Sequence, residues 1–152
     1  MSKRMIAAAL AMVGMFVALY LTLYKIGVIG QLTCTVGSCE TVNTSQWSTF
    51  LGQPVALWGL GFYVTTLLVT VTGLQDRFAD SRVLSQLLVA MSGFGVLFSA
   101  WLTYLELFVI HAICMWCVIS AIIVTMIFVT SVMDLREVVA GTAEYDGDEV
   151  AA

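Results

Sequence analysis

Charge is what this chain has least of. Charged residues make up 11% of its 152 residues and hydrophobic ones 61%, with a mean hydropathy of +1.00. A soluble globular domain carries about 25% charged residues, and a short chain buries the smaller fraction of its surface. Water alone cannot be the solvent for such a chain, so lipid must be part of it. The six Lys and Arg residues form no stripe, which sets nucleic-acid binding aside. No small-x-small cleavage site follows the first apolar run. That run is also longer than a signal h-region, so Lys3 and Arg4 precede a membrane span rather than a signal peptide.

What is present in abundance is long uncharged sequence. Four runs, 5–23, 55–72, 87–105 and 112–133, contain no charged residue. A hydrocarbon core of about 30 Å needs roughly 20 helical residues. The runs are continuous rather than alternating, which selects helices over strands. Small residues in the third run (Ser92, Gly93, Gly95, Ser99, Ala100) let helices approach closely. The expected fold is an all-α integral membrane protein: a four-transmembrane-helix bundle over 1–135, followed by an acidic, disordered cytoplasmic tail over 136–152.

Basic residues set the expected orientation. With the N-terminus in the cytoplasm, Lys3, Arg4, Arg77, Arg82 and Arg136 fall inside and only Lys25 outside. Both termini are then cytoplasmic in a plasma (inner) membrane, with 24–54 and 106–111 on the outer side. The long outer loop is expected to carry a short amphipathic helix. Ser45 would cap it, Trp47, Phe50 and Leu51 would share its apolar face, Gly52 would end it and Pro54 would start the second span. Such a helix would lie as a lid on the mouth of the bundle, or serve as a simple surface anchor.

All four cysteines fall on the outer side. Cys34 and Cys39 lie in the long loop, and Cys114 and Cys117 form a Cys-x-x-Cys at the start of the fourth span. Cys114 and Cys117 share a helix face, and the first turns of a helix stabilise a thiolate. Their depth is within reach of a lipid-soluble head group. Thr35, Val36, Gly37 and Ser38 give the first pair a loop flexible enough to close a disulfide and swing. This pattern predicts a relay: a partner dithiol reduces the loop disulfide, a loop thiol attacks Cys114–Cys117, and that pair passes two electrons to a quinone. The same cysteines would also serve two static disulfides, a four-cysteine zinc site or a metal-ion transporter.

The stretch Cys34-x4-Cys39-Glu40-x-Val42-Asn43-x-Ser45, then Phe50-Leu51-Gly52-x-Pro54, then Gly59, then Cys114-x2-Cys117 resembles the vitamin K epoxide reductase family, its bacterial homologues above all. The resemblance covers roughly residues 5–135. It implies that Cys34 exchanges with the partner, Cys39 shuttles to Cys114, Cys117 stands next to the quinone, and Ser45 assists near the active cysteines. It also implies a thioredoxin-fold (DsbA-like) partner, a menaquinone or ubiquinone acceptor, and support of disulfide formation in exported proteins. Many bacterial relatives carry a fused thioredoxin-like domain; here a short acidic tail follows the last span, so a separate partner protein is expected. Vertebrate members space the loop cysteines more widely and place a tyrosine where this chain has Ala121. Reduction of vitamin K quinone or its epoxide is therefore the alternative activity. The DsbB family places its Cys-x-x-Cys in the first outer loop, the reverse of the order here.

Lesser candidates surround the cysteines. Ser120 lies one turn below Cys117 and is a candidate quinone ligand, with Trp58 and Tyr63 as further pocket residues. Trp101, Tyr104 and Trp116 read as interfacial aromatics or packing. His111, the only histidine, reads as an interface residue, with thiolate activation of Cys114 as its other use. Glu106 reads as a headgroup-level charge and Glu40 as a solvated one.

Overall fold

Backbone N–H and C=O groups inside lipid have no water to bond, so each apolar run closes its hydrogen bonds internally as a helix. The computed structural model describes residues 2–151, with side chains described for 3–144. Four helices are long and apolar enough to cross a membrane. They are α1 (Ser2–Lys25), α3 (Val55–Thr72), α4 (Arg82–Leu105) and α5 (Met115–Ala151), with a short α2 (Cys39–Thr44) in the loop. The protein is an all-α, multi-pass membrane bundle.

Helix α1 packs against both α3 and α5, and α5 packs against α4, while α3 and α4 touch sparingly. Close approach of α1 follows from a small-residue stripe, Ala7, Ala11, Gly14 and Ala18, on one face. A methyl group at Gly14 would stand 2.2 Å from Tyr63 Cε1, so only glycine lets that ring seat. On α4, a Cβ at Gly95 would stand 2.8 Å from both Phe62 and Val124. The small residues of the third run therefore do bring helices together, but the longest such stripe is on α1.

At the end remote from the cysteines, Arg4 is buried and fully engaged. Its Nε donates to both carboxylate oxygens of Asp134 at 3.2 and 3.0 Å, and its Nη1 to the carbonyls of Gly73 (2.7 Å) and Phe78 (3.0 Å). Its Nη2 donates to Ser85 Oγ at 2.9 Å, and that hydroxyl donates to Asp134 at 2.7 Å. One guanidinium thus joins α1, the α3–α4 connection, α4 and α5. Lys3 pairs with Glu137 nearby.

Two segments differ from expectation. The loop helix is Cys39–Thr44, upstream of the expected place, and buries Cys39, Val42 and Asn43 on one face. Ser45 ends that helix rather than starting one: its Oγ donates to the Val42 carbonyl at 2.7 Å. After a 3-10 turn at Gln46–Ser48, residues 49–54 form a hairpin, β1 (Thr49–Phe50) against β2 (Gln53–Pro54). Leu51 (φ 52°) and Gly52 (φ 78°) are its two turn residues. Positive φ at both is the mark of a type I′ hairpin turn, and that geometry cannot continue a helix. Pro54 does precede the second span, which begins at Val55. Helix α5 continues through Ala151, across the stretch expected to be a disordered tail. Arg136, Glu137, Ala140, Ala143 and Glu144 are residue types that favour helix once the apolar span has started it. Ala152 lies outside the described residues.

Candidate active site

The site begins with a glycine. Gly37 adopts φ 88° and pairs with Cys114 as an isolated antiparallel bridge. Ser38 N–H donates to the Ile113 carbonyl at 2.9 Å. A Cβ on Gly37 would lie 2.2 Å from that same carbonyl oxygen, so a side chain is excluded. This contact fastens the long loop to the segment before α5. It leaves Cys39, at the start of α2, in one buried cluster with Val42 and Cys114.

Cys34 and Cys39 are joined as a disulfide, and Cys114 and Cys117 are free thiols. Cys39 is 1% exposed and Cys114 0%. Cys34 lies at the edge of the cluster, nearer the surface. Cys114 stands one residue before α5, so it caps that helix rather than lying inside its first turn as expected; Val118 N–H donates to its carbonyl at 3.1 Å. The Cys114 thiol is held below its ordinary range. The hydrogen bond with the Cys117 thiol is the largest cause, burial opposes it, and the N–H groups of Cys117 and Trp116 add to it. A thiolate at a helix N-terminus is what this end of α5 favours.

Two polar side chains to which the sequence reading gave no part in the chemistry complete the surroundings. Asn43 Nδ2 donates to the Cys39 carbonyl at 2.9 Å and reaches Cys114 Sγ at 3.7 Å. Glu106 is 5% exposed and accepts from Cys114 N–H at 3.1 Å through Oε2. It opens a π-helical turn, Glu106–Ile110, at the end of α4. It is thus not a headgroup-level charge but part of the cysteine cluster. A usable signal existed: an ionisable residue closing a long apolar run marks a functional site by default. Asn43 carried a weaker one, four residues after Cys39 and hence on the same helix face.

Beside the cluster, between α3 and α4, opens an apolar cavity of about 750 Å³. Cys117, Ser120, Trp58, Tyr63 and Ser45 all stand on its wall, as does Glu106. Tyr63 Oη lies 2.8 Å from Ser120 Oγ and donates to the Ser120 carbonyl at 3.0 Å, so the Ser120 hydroxyl already has a partner. The hairpin forms the rim: Trp58 Nε1 donates to the Phe50 carbonyl at 3.1 Å, and the two rings meet edge to face. Lys25 Nζ ties the end of α1 to this loop through the Asn43 carbonyl and Ser48 Oγ, both at 2.6 Å. A hairpin, not the expected amphipathic helix, thus stands at the rim of the cavity.

Other candidates lie apart. His111 is exposed, in left-handed backbone (φ 55°) where α4 ends, and is not on the cavity wall. Glu40 is exposed and accepts from Tyr24 Oη. Trp116 Nε1 donates to the Thr33 carbonyl at 2.9 Å, and its ring lies 5.2 Å from that of Tyr20, which helps hold the loop. Trp101 and Tyr104 face outward. Among the described residues, no three His, Cys, Asp or Glu side chains converge to hold a metal ion. Compared with known protein families, residues 5–132 match the Vitamin K epoxide reductase family.

Proposed function

The chain belongs to the vitamin K epoxide reductase family of membrane thiol oxidoreductases, and from that premise we propose that it carries electrons from a thioredoxin-fold (DsbA-like) protein, through its four cysteines, to a membrane quinone. The observation that carries this reading is the Gly37–Cys114 bridge. It packs Cys39 of the loop disulfide into one cluster with Cys114, while Cys117 stands on the wall of an apolar cavity.

Four exchanges follow from this arrangement. A partner thiolate attacks Cys34, the cysteine nearer the surface, and releases Cys39 as a thiolate. A second partner thiol then frees Cys34. Cys39 attacks Cys114 of a Cys114–Cys117 disulfide, and Cys34 resolves the product by attacking Cys39. The loop disulfide is thereby restored and the inner pair left as a dithiol. Oxidised loop and free inner thiols are the arrangement described above, ready to discharge two electrons.

The residues present fit a quinone. The cavity is large enough for a substituted ring, its wall is mainly apolar, and hydroxyls of Tyr63 and Ser120 lie beside Cys117. A menaquinone or ubiquinone there would supply a two-electron, two-proton acceptor that resides in the bilayer. Trp58 and the hairpin would exclude water at the rim, and Ser45 would hold the end of the helix that carries Cys39.

Sidedness belongs to the same proposal. Lys3, Arg4, Arg77, Arg82 and Arg136 belong to the end away from the cysteines, a charge bias that supports a cytoplasmic position for that end. The cysteines then face the oxidising side, where disulfide formation in exported proteins takes place. The test is quinone reduction by purified protein in detergent, with a reduced thioredoxin-fold protein as donor and Cys117→Ala as control. Turnover abolished by Cys117→Ala is the expected result. An intact protein that reduces none of several quinones would overturn the reading.

A further inference from the structure

A buried carboxylate inside a thiol relay calls for a reason. Burying an unpaired charge is costly, and the thiol exchanges above need no carboxyl group. Yet Glu106 is 5% exposed, and among the described residues no basic side chain pairs with it. Lys25, the cation on the same cavity wall, is engaged with the Asn43 carbonyl and Ser48 Oγ instead.

The position is specific. One carboxylate oxygen holds the Cys114 N–H at 3.1 Å, and Cys117 lies on the same cavity wall as Glu106. The same residue lines the cavity that Cys117 enters. The π-helical turn Glu106–Ile110 begins at this residue, and π-helical turns occur frequently at functional sites. The carboxyl therefore bonds the backbone of one member of the inner pair and shares a cavity wall with the other.

We propose that Glu106 is the proton carrier of the final step, taking the Cys117 thiol proton and delivering it to the acceptor in the cavity. The inference rests on the quinone reading above. The balance is as follows. Two thiols and one quinone become one disulfide and one quinol. The Cys114–Cys117 bond forms, two S–H bonds break, and two electrons enter the quinone ring. One of the two protons needed by the ring oxygens moves from Cys117 through Glu106. The other enters from water as the Cys114 proton is released to it. Without an acid at the cavity wall, the first proton would have to cross an apolar surface.

Glu106→Gln separates this role from a structural one, because its carbonyl oxygen can still accept from Cys114 N–H. Two measurements are needed. The first is an infrared difference spectrum between the dithiol and disulfide states of quinone-free protein. It should show a carboxylic-acid carbonyl signal in the wild type that is missing in Glu106→Gln. The second is single-turnover quinone reduction by pre-reduced protein. It should slow at least about tenfold in Glu106→Gln, with partial recovery in Glu106→Asp. Exchange of the loop disulfide with a reduced thioredoxin-fold protein should stay within about twofold in both variants, which shows that they fold. A wild type that never reduces quinone overturns the proposed function and this inference with it. A wild type that does, with Glu106→Gln equally fast or with no carboxyl signal, overturns the role of Glu106 alone.

Discussion

Gly37 concentrates two demands in one position. Its φ of 88° disfavours any side chain, and its missing Cβ makes room for the Ile113 carbonyl. Gly37→Ala should therefore part the loop from Cys114. A left-handed alanine costs roughly 1–2 kcal/mol, and the carbonyl clash adds to that. Electron transfer from a partner to the inner pair should fall at least about tenfold, while quinone reduction by chemically pre-reduced Cys114 and Cys117 stays near the wild-type rate. Stopped-flow measurement of both halves checks this; equal loss in both would mean the glycine serves general folding instead. Cys114 carries a second prediction. Its thiol is held low chiefly by the Cys117 thiol, so its thiolate persists to more acid pH than an ordinary cysteine's. Removing that donor in Cys117→Ala should move the pH midpoint for formation of the Cys39–Cys114 bond upward, and Cys117→Ser should move it less. Rapid acid quenching across a pH series reads the midpoint, and identical midpoints would refute the cause given. At this scale the grouping of the cysteines into two pairs was legible in the sequence, since their spacing marks them out. Glu106 and Asn43 gave only hints, a charge closing an apolar run and a polar residue on the helix face of Cys39, because their burial depends on a helix end and a loop meeting.

The first three spanning helices were legible almost to their ends, since twenty apolar residues in lipid have few alternatives to a helix, while α5 (Met115–Ala151) runs well past the expected 112–133. Val55–Thr72 falls on its predicted span, and α1 and α4 overrun theirs by a few residues. The loop was harder to read. Trp47, Phe50 and Leu51 at helical spacing suggested an amphipathic helix, yet the Leu51-Gly52 pair turns the chain back as a hairpin. A residue pair at positive φ is local chemistry, but leucine is an uncommon first member, and that hid the turn. The hairpin should depend on its glycine. Gly52→Val places a β-branched residue at φ 78°, costing about 1–2 kcal/mol. Amide exchange at Phe50 and Gln53 should then rise roughly tenfold, while α3 amides remain protected. Leu51→Gly should leave exchange at both positions unchanged or slower. Protection unaffected by Gly52→Val would show that the rim is held by Trp58 rather than by the turn.

At the scale of the whole molecule, the arrangement of the helices answers to contacts that no single span reveals. The sequence marked Arg4 only as a determinant of orientation. In the fold it is the hub through which α1, α4, α5 and the α3–α4 connection meet, with Asp134 as counter-ion. Arg4→Leu or Asp134→Leu alone leaves a buried charge without its partner and should cost about 3–5 kcal/mol. The double variant should be less harmful than either single one. Thermal unfolding in detergent orders the three, and a double variant no better than the worse single would contradict the pairing. The cysteine end should be little changed in local geometry, so loop-disulfide exchange measured well below the melting temperature should persist in all of them.

The sparing contact between α3 and α4 has one more consequence. Trp58 and Phe94, on the cavity wall from those two helices, are 48% and 69% exposed, and what they are exposed to within a bundle is hydrocarbon. In a membrane-spanning bundle, a gap between these two helices would be a doorway onto the lipid leaflet. A ligand using it arrives by lateral diffusion, and its local concentration is set by its partition coefficient and by the area of membrane available, not by its aqueous solubility. Half-saturation expressed per volume of solution would then shift whenever lipid or detergent is added, while the same quantity expressed as mole fraction in the lipid phase would stay constant. Lengthening the ligand's isoprenoid tail should lower the first number and leave the second nearly unmoved.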